Sequence, residues 1–108
     1  MLKAIIVEDE QASRETLQNY LAKYCPNISL VAMAANIKEG QAAIEAHSPD
    51  VVFLDVEMPF GNAFDLLERL GDVSFEVIFV TAYSNYAIQA LNFSASYYLL
   101  KPDRKSVV

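Results

Sequence analysis

The chain has 108 residues, 54% of them hydrophobic and 20% charged, a composition typical of one globular domain with a buried core. Eight Lys and Arg against fourteen Asp and Glu give a net charge of −6. This charge argues against the segment gripping a nucleic-acid backbone by itself, and it is compatible with binding a cation. The single cysteine, Cys25, excludes an internal disulfide and a cysteine-rich metal site. The apolar stretches are too short to span a membrane and no signal-peptide pattern opens the chain, so we expect a cytoplasmic protein without a membrane partner.

Short apolar runs alternate with segments of helical period along the whole chain. The runs predict five strands, and they occupy Ala4–Val7, Leu30–Met33, Val51–Leu54, Val77–Val80 and Tyr97–Leu100. Continuous apolar runs are what strands covered on both faces require, and helical crossovers between them imply a parallel sheet. We therefore predict an α/β domain with a doubly wound, five-stranded parallel sheet.

The four segments between the runs predict four helices. The first has an apolar face at Leu17, Tyr20, Leu21 and Tyr24. Asn36 and Glu39 have the spacing of a capping box at the start of the second helix. The third has Asn62 as its cap, Gly71 at its close and inward positions at Phe64, Leu67 and Leu70. The fourth has a short apolar face at Tyr86, Ala87, Ala90 and Leu91.

The end of the chain leaves little room for a fifth helix. After Lys101 and Pro102 only residues 103–108 remain, barely one helical turn. We expect a fragment of a longer protein, cut within its last helix, because the missing helix would leave one face of the sheet uncovered. A natural terminus is the alternative.

Polar side chains follow four of the five predicted strands. Glu8 and Asp9 follow the first strand, Asp55 the third, Thr81 the fourth and Lys101 the fifth. Singly, each has an ordinary explanation as a helix cap, a strand former or a solvated residue. In a sheet of order 2-1-3-4-5, however, all four strand ends meet where open α/β sheets bind ligands. The combination therefore favours a functional site.

The chemistry of this set points to phosphoryl transfer. Three carboxylates within a few ångströms repel one another unless cations compensate them, and hard oxygen ligands suit Mg²⁺. With a metal and Lys101 in place, Asp55 could attack phosphorus as a nucleophile. The Thr81 hydroxyl and the Lys101 ammonium would each hold a phosphoryl oxygen.

Four stretches carry a family resemblance that covers essentially the whole chain. "IIVEDE", "VVFLDVEMP", "VIFVTAY" and "YYLLKP" resemble the acid cluster, phospho-acceptor aspartate, switch threonine and Lys-Pro motif of response regulator receiver domains. The resemblance implies a flavodoxin-like fold over residues 1–108, in which Asp55 accepts a phosphoryl group from a sensor histidine kinase. It implies Mg²⁺ held by Asp9, Asp55 and the backbone carbonyl of Glu57, with Glu8 acting through metal-bound water. It also implies a cis peptide bond between Lys101 and Pro102.

The last motif suggests a more specific relationship. "TAYSNYAIQALNFSASYYLLKP" is similar to receivers that precede a LytTR-type DNA-binding domain, so the parent protein would be a transcription regulator whose DNA-binding output domain is absent here. Tyr98 falls at the position of the family's switch aromatic, which turns inward as Thr81 moves toward the phosphate; an ordinary strand tyrosine is the alternative. Phosphorylation would then reshape the face formed by helix 4, strand 5 and helix 5, with a homodimer as the expected partner state. The chain departs from the family pattern at Ala63, where relatives usually have Gly, and at Tyr97, where Asp is common.

Two other functions use the same residues. An Asp-nucleophile phosphohydrolase would also need Mg²⁺, an aspartate, a threonine and a lysine, but such enzymes usually place the nucleophile after the first strand and add a cap. A pseudo-receiver would keep the fold as an interaction module without phosphorylation. We expect a signalling phospho-acceptor that catalyses only its own phosphorylation and dephosphorylation, and not a turnover enzyme.

Overall fold

The computed structural model describes residues 1–58, 61–71, 73–93 and 95–101. These residues form seven strands: β1 (Leu2–Val7), β2 (Ile28–Ala34), β3 (Val51–Leu54), β4 (Glu57–Met58), β5 (Gly61–Asn62), β6 (Glu76–Thr81) and β7 (Tyr97–Leu100). The same residues form four helices: α1 (Gln11–Tyr24), α2 (Ile37–His47), α3 (Ala63–Leu70) and α4 (Ala87–Leu91). Each of the five predicted strands and four predicted helices is thus present.

The main sheet has five parallel strands in the order β2-β1-β3-β6-β7. Since β4 and β5 form a separate antiparallel pair, this is the predicted order 2-1-3-4-5 of a doubly wound, flavodoxin-like sheet. The small β4–β5 pair was not predicted from the sequence. The expected fifth helix and the cis peptide at Pro102 fall outside the residues that the structure describes.

The sheet divides the core into two layers. The larger layer lies between the sheet and the helices α2, α3 and α4. In it Leu54 of β3, Phe79 of β6 and Leu66 of α3 are fully buried. The opposite face packs on α1, mainly through Leu21, and holds Ile6. Alternate residues of each strand thus enter opposite layers, which is why the strands are apolar throughout.

Side-chain caps fix where α2 and α3 begin, beside the carboxyl end of the sheet. The Asn36 side chain accepts the Glu39 N–H at 2.8 Å, as predicted, although the Glu39 carboxylate accepts the Ala35 N–H at 3.1 Å. Asn62 and Asp65 form a complete capping box, with bonds of 3.0 and 3.1 Å. Each cap satisfies helix N–H groups that have no partner within the helix.

Three residues predicted on apolar helix faces are exposed. Tyr20, Tyr24 and Leu91 are 57%, 60% and 71% exposed, so that part of the prediction was wrong. The two tyrosine rings lie 4.9 Å apart on α1, and both are largely accessible to solvent. Helical spacing alone does not distinguish a core-facing ring from one that covers the surface of its own helix.

A groove of about 660 Å³ lies beside α1 on its face of the sheet. The residues that line it include Cys25, Ile78, Val80 and Leu99. Cys25 is the C-cap residue of α1 and is half-buried. Among the described residues, no helix is long and apolar enough to cross a membrane.

Two Leu→Ala substitutions test this assignment of core and surface. Leu66→Ala in α3 removes a fully buried side chain and should lower the free energy of unfolding by about 2–5 kcal/mol. Leu91→Ala in α4 is the matched control and should change it by less than about 0.5 kcal/mol. Urea denaturation followed by circular dichroism measures both; equal losses would contradict the packing described above.

Candidate functional site

The parallel register places the ends of β1 and β3 side by side. Val7 pairs with Leu54, and the Asp55 N–H donates to the Val7 carbonyl at 3.0 Å. On the other side of β1, the Glu8 N–H donates to the Ala34 carbonyl at 2.9 Å. These backbone bonds carry the sheet one residue past its apolar core, so the first acid after each strand is held rigidly at the edge.

Three of the predicted site residues form one carboxylate cluster. Glu8, Asp9 and Asp55 each offer a carboxylate oxygen, and these oxygens all lie within 4.8 Å of one another. Glu8 and Asp55 are only 4% and 6% exposed. Burial weakens the solvent screening that would otherwise relieve their repulsion, so a cation is required nearby.

Lys101 supplies one positive charge to this cluster. The strand pair β6–β7 delivers it, because the Lys101 N–H donates to the Thr81 carbonyl at 2.7 Å just past the end of the sheet. Its ammonium forms ion pairs with Glu8 and with Asp55, the latter at 3.0 Å. Sequence analysis predicted a lysine at this edge, but not that Glu8 would share it.

One carboxylate oxygen at the centre of the cluster is suited to a further ligand. Asp55 Oδ2 binds Lys101, whereas Asp55 Oδ1 is buried and has no hydrogen-bond partner among the described residues. A buried polar atom without a partner is costly unless something else binds it. Together with the neighbouring oxygens of Glu8 and Asp9, its chemistry fits Mg²⁺, which prefers carboxylate oxygens completed by water and phosphate.

Burial dominates the ionisation of Glu8. Desolvation raises its pKa from 4.5 to about 7, and the negative charge of Asp55 acts in the same direction, while the Lys101 ammonium opposes both. The same two carboxylates raise the pKa of Lys101 against the effect of its own burial. The lysine therefore stays charged, and Glu8 titrates near neutral pH.

Thr81 and Tyr98 are linked through one loop. Thr81 is fully buried at the end of β6, and its hydroxyl accepts the Tyr83 N–H at 3.3 Å. The half-buried Tyr98 packs its ring 5.9 Å from that of Phe79 and donates its hydroxyl to the Tyr83 carbonyl. Tyr83 thus contacts both predicted switch residues through its backbone.

Glu57 lies two residues beyond Asp55, with its carboxylate directed toward α4. It accepts a hydrogen bond from the Tyr86 hydroxyl at 3.0 Å, and this bond raises the pKa of Tyr86. The Tyr86 ring packs 6.1 Å from that of Phe64. Sequence analysis assigned Tyr86 only to an apolar helix face, since nothing in local spacing reveals a partner 29 residues away.

The chain matches the family described as the response regulator receiver domain over residues 4–108. An uncharacterized response regulatory protein of Vibrio cholerae is 44% identical over 103 residues, which cover 94% of this chain and 43% of the relative. The transcriptional regulatory protein BtsR of Escherichia coli K12 is 39% identical over 94% of this chain and 43% of its own length. The chain spans less than half the length of these curated relatives.

Solved structures agree with this match. The structure of TrrA from Thermotoga maritima in complex with Mg²⁺ and BeF superimposes with a TM-score of 0.80 at 25% identity, covering 98% of this chain and 91% of that one. The receiver domain of AraT, a response regulator from Geobacillus stearothermophilus, has a TM-score of 0.84 at 28% identity, over 94% and 81% of the two chains.

The raised pKa of Glu8 predicts an unusual pH dependence of stability without metal. Between pH 4.5 and about 7 the folded chain holds a proton on Glu8 that the unfolded chain has lost, so the free energy of unfolding falls as pH rises through this window. Urea denaturation in EDTA at pH 5 and pH 8 measures this change. Between these two pH values the free energy of unfolding should fall more for the wild type than for Glu8→Gln, by at most about 3 kcal/mol.

Glu45→Gln is the matched control for this measurement, because it removes an exposed carboxylate of α2 and should keep the wild-type dependence. Parallel curves for the wild type and Glu8→Gln would show that Glu8 does not titrate differently in the folded chain.

Proposed function

The chain belongs to the response regulator receiver family, and from this premise we propose that it is a Mg²⁺-dependent phospho-acceptor whose acceptor is Asp55. The observation that carries the proposal is that the two oxygens of the buried Asp55 carboxylate have different surroundings. Asp55 Oδ2 is bound to Lys101 and Oδ1 has no partner among the described residues. Oδ1 is thus available to Mg²⁺, and Lys101 can pass from Oδ2 to a phosphoryl oxygen as Oδ2 attacks the phosphorus.

The side chains at the carboxyl edge of the sheet have separate roles in phosphoryl transfer from a sensor histidine kinase. A carboxylate oxygen of Asp55 attacks the phosphorus, the new O–P bond forms, and the N–P bond to the donor imidazole breaks with its electron pair returning to nitrogen. Lys101 and the Thr81 hydroxyl stabilise phosphoryl oxygens, which carry most of the negative charge in this reaction. The chain acts on its own side chain, so we class it as a signalling protein and not as a turnover enzyme.

Asp9, Asp55 and the backbone carbonyl of Glu57 would hold the metal, with Glu8 acting through metal-bound water. Bound Mg²⁺ supplies positive charge that offsets the carboxylates and the phosphoryl oxygens. The mutual proximity of Glu8, Asp9 and Asp55 supports this assignment. Mg²⁺ in the complex of TrrA is the corresponding precedent in a neighbour of the same family.

The contacts of Tyr83 suggest how phosphorylation reaches the surface. If the Thr81 hydroxyl turns to the phosphoryl group, the Tyr83 N–H loses its acceptor, and the loop that holds the Tyr98 hydroxyl is released. Tyr98 can then change position against Phe79, and the surface of α4 and β7 changes with it. One new local charge thereby biases a two-state element.

The exposed side chains on that surface are candidates for a dimer interface. Ile88 and Leu91 on α4 are 79% and 71% exposed. Homodimerisation on phosphorylation would cover them, as large exposed apolar groups often mark interaction surfaces.

We propose that the whole protein is a cytoplasmic transcription regulator in which a DNA-binding output domain, of LytTR type, accompanies this receiver. The name of BtsR, a transcriptional regulatory protein, supports the output class. The Enterococcus faecalis sensory transduction protein LytT, 35% identical over 103 residues covering 94% of this chain and 42% of its own length, supports the subfamily.

Intact-mass spectrometry after incubation with acetyl phosphate tests the acceptor. The wild type should gain one phosphoryl group in Mg²⁺ and much less in EDTA, and Asp55→Asn should gain none. Asp65→Asn, which changes a carboxylate at the start of α3, is the matched control and should be modified like the wild type. An unmodified, folded wild type would favour a pseudo-receiver, and repeated hydrolysis of added phosphomonoesters would favour a phosphohydrolase.

Thr81→Ala tests the switch separately from the chemistry. The variant should still form the adduct, with a rate reduced by about tenfold for the loss of one hydrogen bond worth about 1.4 kcal/mol. In nuclear magnetic resonance spectra the wild-type amides of Tyr83 and Tyr98 should shift on phosphorylation, and those of the variant should shift much less. Equal shifts in both proteins would show that Thr81 does not transmit the change.

A further inference from the structure

Arg14 connects α1 to the loop of Glu8, Asp9 and Glu10 by hydrogen bonds to two backbone carbonyls. Its Nη1 donates to the Glu8 carbonyl at 2.7 Å and to the Asp9 carbonyl at 3.1 Å. Both bonds are partly buried, so water competes with them only in part. The sequence does not single out Arg14, because a residue that binds carbonyls has no chemical signature of its own at that spacing.

The conformation of this loop decides where two carboxylates point. The chain leaves β1 at Val7, turns through Glu8, Asp9 and Glu10, and enters α1 at Gln11. Inside the loop, the Glu10 N–H donates to the Glu8 carboxylate at 3.1 Å. The bonds from Arg14 act instead on the peptide groups that follow Glu8 and Asp9, and thereby on the directions of both side chains.

We propose that Arg14 is the positioning residue of the carboxylate cluster: by binding the Glu8 and Asp9 carbonyls it holds both carboxylates within reach of Asp55 for Mg²⁺ binding. The inference rests on the proposed function, since it assigns the cluster to a metal. Arg14 contacts only the backbone of the loop in these bonds, and therefore acts on the metal through Glu8 and Asp9. Its planar guanidinium suits this role better than a lysine ammonium, because it presents several N–H donors in a fixed geometry.

The direction in which an Arg14 substitution changes the Mg²⁺ affinity shows whether Arg14 acts by positioning the carboxylates or only by its charge. Arg14 carries a positive charge near a cation site, so removing that charge alone would strengthen Mg²⁺ binding. Loss of positioning acts in the opposite direction, because the carboxylate oxygens would no longer be held within 4.8 Å of one another. Arg14→Gln removes the charge together with the guanidinium, and Arg14→Lys keeps the charge.

Calorimetric titration of the 108-residue chain with Mg²⁺ measures this difference. We expect both Arg14→Lys and Arg14→Gln to weaken Mg²⁺ binding about tenfold or more, the usual effect of losing a group that orients metal ligands. Lys23→Gln is the matched control, since it removes one positive charge from the last turn of the same helix. It should leave the affinity unchanged or slightly raise it, as screening by salt and water limits its reach.

Amide hydrogen exchange in EDTA provides a readout that does not need the metal. The Glu10 amide, which is bonded to the Glu8 carboxylate, should exchange faster in both Arg14 variants than in the wild type, at a similar free energy of unfolding. Wild-type Mg²⁺ affinity in Arg14→Lys, or tighter binding in Arg14→Gln, would overturn the inference. If the wild type bound no Mg²⁺, the proposed metal site would fail. The exchange rates would then decide whether Arg14 holds the loop, and equal rates would overturn that role.

Discussion

Buried carboxylates repel one another at the ends of β1 and β3, and the neighbouring strands are arranged so as to offset this repulsion. Glu8 and Asp55 are almost inaccessible to solvent, and a carboxylate oxygen of each lies within 4.8 Å of the other and of Asp9. Folding must bring them together, since Val7 and Leu54 are paired in the middle of the sheet. The chain tolerates this cost by pairing both buried acids with Lys101 and by raising the pKa of Glu8. Such a site is stable only while its charge is compensated, and it therefore responds to an added cation or anion.

The positive charge that offsets these carboxylates comes from Lys101, near the other end of the sequence. Lys101 and Glu8 are 93 residues apart, and they meet because five parallel strands end at one edge. The same register brings Thr81 beside the lysine backbone. Asp55 is thus connected to β7 and β6 through Lys101 and Thr81, and the chain leads from β6 to α4. The bond between Tyr86 and Glu57 gives α4 a second connection to the region just past Asp55.

The parts of the structure that could be predicted from the sequence are those with a local physical cause. Fully apolar runs indicated the buried parallel strands, and the spacing of Asn36 and Glu39 indicated a cap. The strand order then brought Glu8, Asp9, Asp55 and Lys101 to one edge. What could not be predicted depends on partners distant in sequence or on the choice between two faces of a helix. The Tyr86–Glu57 bond, the two contacts of Arg14 and the exposure of Tyr20 and Tyr24 are of this kind. The β4–β5 pair was missed because two strands of two residues each carry no measurable periodicity.

We propose above all that Asp55 accepts a phosphoryl group on one carboxylate oxygen while its other oxygen and Asp9 hold Mg²⁺, with Lys101 moving to the phosphoryl group. A crystal structure of the chain grown with Mg²⁺ and beryllium fluoride, a stable mimic of an aspartyl phosphate, tests it most directly. We expect fluoroberyllate bonded to one oxygen of Asp55, with the Lys101 ammonium and the Thr81 hydroxyl on its fluorides and Mg²⁺ beside Asp9. Fluoroberyllate bound elsewhere, or well-ordered crystals that leave Asp55 paired only with Lys101, would contradict it.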